Sequence, residues 1–203
     1  MERFLIELFE KCKDYKIKVI LDPTKVEFGQ GNEVSGLYDS HNLELTVAIN
    51  KPYIDWLPIL VHESCHMDQH LENCKIWQEC TIKDHDACNI LDMWLSGVVD
   101  LNATQLEDTI NRVLNMELDC ERRSVEKIKK YKLPIDTTEY TQKANAYVYF
   151  YRAMMKTRKW TTKERSPYSS EHVWSQMPKK FYSDQTEYKI QDPLVDLIVK
   201  ECF

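Results

Sequence analysis

His62-Glu63-Ser64-Cys65-His66 places two histidines four residues apart with a glutamate beside the first, and no other residues in this chain point so directly to chemistry. On a helix the two histidines fall one turn apart on one face, so both imidazoles can reach a single zinc ion. Glu63 then stands beside the ion, able to take a proton from a water whose pKa the ion has lowered. On this reading both rings point inward, where two buried imidazoles need a partner. A catalytic site of this kind takes three protein ligands and leaves a fourth position open.

The third ligand is expected from the stretch 103–131. Its apolar stripe runs Leu106, Ile110, Val113, Leu114 and continues at three-to-four spacing through positions 117, 121, 125 and 128. Val125 and Ile128 keep that stripe apolar; Glu117 and Glu121 do not. Two carboxylates one turn apart on an inward stripe are costly unless a cation meets them. The spacing predicts Glu117 as the ligand and Glu121 as the group that hydrogen-bonds the far nitrogen of a ligand histidine. Asp119 falls on the opposite, solvent side. Three residues compete for the third place. His70 lies two turns from His62, too far for a straight helix to wrap around one ion. His85 sits in the polar run Lys83-Asp84-His85-Asp86. Asp68 points away from the histidine face and is expected to be solvated. Hydrolysis also needs a donor for the developing oxyanion. Tyr147, Tyr151 and His172, with Tyr149 and Arg152, are the candidates. Tyr147 and Tyr151 share a helical face, so at least one of them packs in the core.

These residues must be held by particular elements. Asp55 reads as the N-cap of a helix over 55–71, with Pro58 in its first turn and Ile59, Leu60 and Val61 leading into the histidines. Residues 2–14 have helical spacing, and 17–21 alternate as a short strand ended by Asp22-Pro23. Gly29 to Gly31 reads as a turn. Val34–Tyr38 and Leu43–Ile49 read as a hairpin, with Leu43, Leu45, Val47 and Ile49 on one face. Strand 43–49, if it edges the cleft, would pair with an extended substrate backbone. Helices follow at 86–97, 103–131, 136–159, 169–176 and 192–201. The fold class is α+β: a small antiparallel or mixed sheet against the histidine helix, then a mainly helical C-terminal half. The reading is of one domain, with an N-terminal helix and sheet (1–54), the metal-site helices (55–131) and a helical, basic part (132–203).

Composition bounds the function classes. A chain of 203 residues with 43% hydrophobic and 30% charged content reads as a soluble globular protein. No apolar run reaches the roughly 18 residues a membrane span needs. Acids within Met1-Glu2-Arg3-Phe4-Leu5-Ile6-Glu7 argue against a signal peptide, and seven cysteines without framework spacing read as reduced thiols in a cytoplasm. From Arg122 to Lys180 there are 15 Lys+Arg against 5 Asp+Glu, within a chain of net charge −6. This basic part either answers the acidic remainder or meets an acidic partner such as nucleic acid. Trp160, Tyr168, Trp174 and Phe181 interleave with Arg158, Lys159, Lys163, Arg165, Lys179 and Lys180. That pattern suits a stacking surface for single-stranded nucleic acid, but it suits better a set of aromatics pinning the C-terminal helices to the domain.

The segment Glu117-Leu118-Asp119-Cys120-Glu121 resembles the Glu-x-x-x-Asp ligand helix of the gluzincins, the thermolysin-like zinc peptidases, with Glu in place of Asp at the second acid. With Val61 to Gln69, Glu117 to Arg123 and Lys143-Ala144-Asn145-Ala146-Tyr147, the chain is also similar to uncharacterised metallopeptidases encoded by tailed bacteriophages, over roughly residues 35–181. SprT-like proteases share a cysteine within the motif but take their third ligand from a Gly-His-Gly string absent here. The resemblance implies a zincin-like fold, a Zn²⁺ cofactor, peptide-bond hydrolysis with Glu63 as general base, a protein or peptide substrate, and a viral owner acting in the host cytoplasm. The alternative is a zincin-shaped binding or regulatory module, associated with nucleic acid through its basic half. Glu63 argues for the enzyme, since a purely structural site has no use for a base there.

Overall fold

The computed structural model describes residues 1–23, 26–28, 32–81, 86–161 and 165–203. They form an α+β chain with a three-stranded mixed sheet, a separate two-stranded pair and a helical C-terminal half. The chain divides into two compact units: Met1–Cys74 with Cys120–Thr137, and Lys75–Asp119 with Thr138–Phe203.

In the first unit, helix α1 (Glu2–Asp14) buries Phe4, Leu8 and Cys12, a strict four-residue repeat on one face. Lys16 takes a positive φ of 56°, turning the chain out of the helix and into β1 (Lys18–Asp22). The antiparallel pair β2 (Val26–Phe28) and β3 (Asn32–Val34) follows, and the expected turn at Gly29–Gly31 lies outside the described residues. Strands β4 (Gly36–Asp39) and β5 (Glu44–Ala48) are antiparallel, closed by a turn in which Asp39 Oδ1 accepts from the amides of His41 and Asn42 at 2.8 and 3.0 Å.

The sheet order is β1-β5-β4, with β1 parallel to β5 in the register Lys18↔Glu44 to Asp22↔Ala48. β5, which covers most of the strand read at 43–49, is therefore central and not free to pair with an extended substrate, and β4 is an outer strand. Leu45, Thr46, Val47 and Ala48 are all buried, as befits a strand covered on both faces.

Helix α2 (Tyr53–Leu71) packs on β4 and β5 and carries both histidines. Its N-cap is Pro52, not Asp55: the amides of Asp55 and Trp56 bond to the Pro52 carbonyl at 2.9 and 3.3 Å. A proline φ of −51° starts the helix early. Pro58 consequently falls in the second turn, where its missing N–H removes an internal helical bond. Helix α3 (Lys75–Cys80), α4 (Ala87–Leu95) and α5 (Ala103–Tyr131) come next. The part of α5 in the first unit buries Cys120, Glu121, Ser124 and Ile128. Asp68 is not solvated. It pairs with Lys11 from α1 at 2.5 Å and Lys127 from α5 at 2.6 Å, and those cations hold its carboxylate below the usual range against the opposing effect of burial.

The second unit is built on α6 (Thr137–Thr157), buried from Tyr140 to Met154 at most positions, with the four-residue α7 (Glu171–Trp174) and α8 (Pro193–Cys202). The aromatics of the basic segment are tied into it. Trp160 meets Phe150 edge-on at 5.2 Å, Tyr168 meets Tyr147 at 5.8 Å, and Lys143 lies 5.1 Å from the Trp174 ring. Arg158 covers Trp94 and pairs with Asp100 at 2.9 Å. Among the described residues, no helix is long and apolar enough to cross a membrane.

Candidate metal centre

The spacing of His62 and His66 does on α2 what helical geometry requires. The two rings stand edge to face with centroids 4.7 Å apart, and their Nε2 atoms approach to 3.1 Å. Each ring has its other nitrogen committed. His66 Nδ1 lies 2.9 Å from Gln69 Oε1, and His62 Nδ1 lies 3.2 Å from Glu121 Oε1 on α5.

That arrangement decides the tautomers. A carboxylate oxygen only accepts, so His62 Nδ1 carries its hydrogen, and the amide oxygen of Gln69 asks the same of His66. Both Nε2 atoms are then left presenting lone pairs to each other. Two lone pairs at 3.1 Å repel unless a shared proton or a metal ion stands between them. Two nitrogens bound to one tetrahedral zinc at about 2.0–2.1 Å are separated by about 3.3–3.4 Å. The observed gap is within a few tenths of an ångström of that, so the pair fits a metal.

Cys120 belongs to the same cluster: ligand atoms of His62, His66 and Cys120 lie within 4.8 Å of one another, a group that could hold a metal ion. Its thiol donates to the His62 carbonyl at 3.3 Å and sits 3.6 Å from His62 Nδ1. It thus lies against the Nδ1 of His62, the nitrogen that also meets Glu121.

Glu63 is 8% exposed, and its Oε2 accepts the amide of Tyr38 on β4 at 3.0 Å. That hydrogen bond fixes the direction of the carboxylate. The contact depends on Gly36, two residues earlier on β4. A Cβ there would lie 2.4 Å from Ile59 Cγ2 and 2.9 Å from Glu63 Cγ, so only glycine lets the strand approach α2 this closely. His70, one turn past His66, turns to β4 as well, its Nδ1 2.7 Å from the Tyr38 hydroxyl. Burial pushes Tyr38 up to about 12, so it stays protonated and donates to a neutral ring.

The structure thus brings His62, His66 and Glu121 together in the first unit, with Glu63 on the same helix. Gln69 was not singled out in the sequence, although it lies three residues after His66 on the same helical face. The Tyr38 amide carries no side-chain signal at all. The remaining expected residues lie in the second unit. Glu117 is 7% exposed and accepts from the Tyr151 hydroxyl at 3.4 Å, and Tyr151 in turn meets Tyr147 at 2.8 Å. Burial, with the charge of Glu117, pushes the Tyr151 hydroxyl well up, so it remains a donor. Tyr149 bonds to Asp192, and Arg152 to backbone and amide oxygens of its own unit. His172 is exposed on α7. His85 lies outside the described residues. Compared with protein-family models, curated proteins and solved structures, the chain matches none.

Proposed function

We propose that the protein is a zinc-dependent peptidase of zincin-like, gluzincin-type organisation. The observation that carries this reading is the facing pair of Nε2 atoms on His62 and His66, each with its Nδ1 already committed to an acceptor. His62 and His66 hold the metal, and the inward stripe of α5 nominates Glu117 as the third ligand. Glu117 stands one helical turn before Glu121 on α5, and Tyr151 donates to its carboxylate at 3.4 Å. Cys120 fits that place less well, because its thiol is engaged at the Nδ1 edge of His62. Zinc is the metal that suits a two-histidine, one-carboxylate set; when bound, it supplies a Lewis acid and lowers the pKa of a coordinated water.

The chain's own residues do the rest. Glu121 and Gln69 orient the two rings and keep each Nδ1 protonated. Glu63, aimed by the Tyr38 amide, receives the proton of the attacking water and passes it to the leaving amine. The substrate is a protein or peptide. The test compares wild type with Glu63→Gln for zinc content and for cleavage of an unfolded protein such as casein. Both proteins should hold zinc, and cleavage should fall by about 10²- to 10⁴-fold in the variant. Zinc in both with cleavage by neither would return the alternative, a metal-braced binding module.

A further inference from the structure

Arg152, at the middle of α6 in the second unit, is a buried cation that the proposed peptidase chemistry does not use. Its side chain is only 5% exposed. Nε donates to the Tyr188 carbonyl at 2.7 Å, and Nη2 to Asn111 Oδ1 at 2.7 Å and, less closely, to the Gln185 carbonyl at 3.5 Å. Nη1 meets the Met155 sulfur at 3.7 Å, a weak acceptor. Among the described residues, none of these contacts is a carboxylate. Neutral oxygens satisfy donors but do not compensate the net charge, which, among the described residues, only the more distant, exposed Glu107 carboxylate opposes. Burial accordingly lowers the guanidinium's pKa, opposed by the charge of Glu107.

Arg152 lines a cleft of about 210 Å³ with Lys189, Thr186, Gln191, Met155 and Glu107. We propose that this cleft binds a small oxyanion, a phosphate or carboxylate group, seated on the Nη1 edge of Arg152. With Nε and Nη2 engaged by protein oxygens, Nη1 offers its N–H groups to such a group, and exposed Lys189 adds a second positive charge. Thr186 and Gln191 supply further polar atoms, and Met155 gives one apolar wall. Glu107, an exposed carboxylate on the same cleft, weakens anion binding and so gives the test an opposite sign.

The test follows the melting temperature of the full zinc-loaded chain against sodium phosphate and against sodium succinate, each compared with sodium chloride at equal ionic strength. A bound anion stabilises the fold saturably. Lys189→Ala should raise the half-saturating concentration about two- to fivefold, and Glu107→Gln should lower it by a similar factor. The His66→Ala chain, run without zinc, should show the same half-saturating concentration, which separates this cleft from an anion bound at a metal. Arg152→Lys, losing the Nη1 donors, should abolish saturation; if it fails to fold, the two surface variants decide. Saturation by phosphate alone or by succinate alone assigns the class. No saturable rise with either anion overturns the proposal, as does a rise that neither Lys189→Ala nor Glu107→Gln moves.

Discussion

Glu121 on α5 meets His62 on α2 through Oε1 and Nδ1 at 3.2 Å, and this contact determines which nitrogen of His62 faces His66. A carboxylate behind a ligand histidine also raises the basicity of the ring. Glu121→Gln retains an acceptor oxygen but loses the charge. Its zinc affinity should fall about 10- to 100-fold, read by competition with a chromogenic chelator, while the far-ultraviolet circular dichroism stays as in wild type. Unchanged affinity would make the contact incidental.

The choice between Glu117 and Cys120 is tested by a pair of variants. Glu117→Ala should cost more zinc affinity than Glu121→Gln, because it removes a ligand and not its support. Cys120→Ser keeps a donor for the His62 carbonyl and should alter affinity only a few-fold. The reverse order of effects would transfer the third position to Cys120.

Gly36 is the point at which β4 touches α2. Gly36→Ala drives a methyl group against Ile59 Cγ2 and Glu63 Cγ, an overpacking that should cost about 1–3 kcal/mol in denaturant unfolding. Adding Ile59→Ala opens space on one side and should recover part of that loss. A Gly36→Ala protein as stable as wild type would mean that the strand and helix can separate without cost.

His70 should leave a signature in the pH dependence of stability. Burial holds its pKa below the ordinary histidine value, so the unfolded chain takes up the proton first. Its contribution is complete above the unfolded value of about 6.5 and is lost as the pH falls through that value towards the lower folded one. Wild-type stability minus that of His70→Gln should therefore rise with pH and level off above about 6.5. A flat difference would contradict the placement of His70 against Tyr38.

The long periodic elements were legible in the sequence. The limits of α1 and α5 follow from apolar residues recurring at three-to-four spacing, and the inward stripe of α5 picked out Glu117 and Glu121 as buried carboxylates. Elements resting on distant partners were less legible. The parallel pairing of β1 with β5 joins residues 26 positions apart, and nothing local in either strand announces it. Helix α3 has six residues, too few for periodicity to show. Asp68 read as solvated because the lysines that meet it come from α1 and from α5. At the site, Gln69 was open to helical spacing, but the amide of Tyr38 that aims Glu63 is a backbone group from a strand 25 residues earlier.

The central claim is that the facing nitrogens of His62 and His66 hold zinc. The most direct measurement is the zinc content per chain by elemental mass spectrometry, after zinc reconstitution and dialysis against a weak chelator, for wild type and for His66→Ala. The wild-type chain should hold one zinc, and the folded variant should retain none. A wild-type chain without zinc, or a His66→Ala chain that keeps a full equivalent, would contradict that claim.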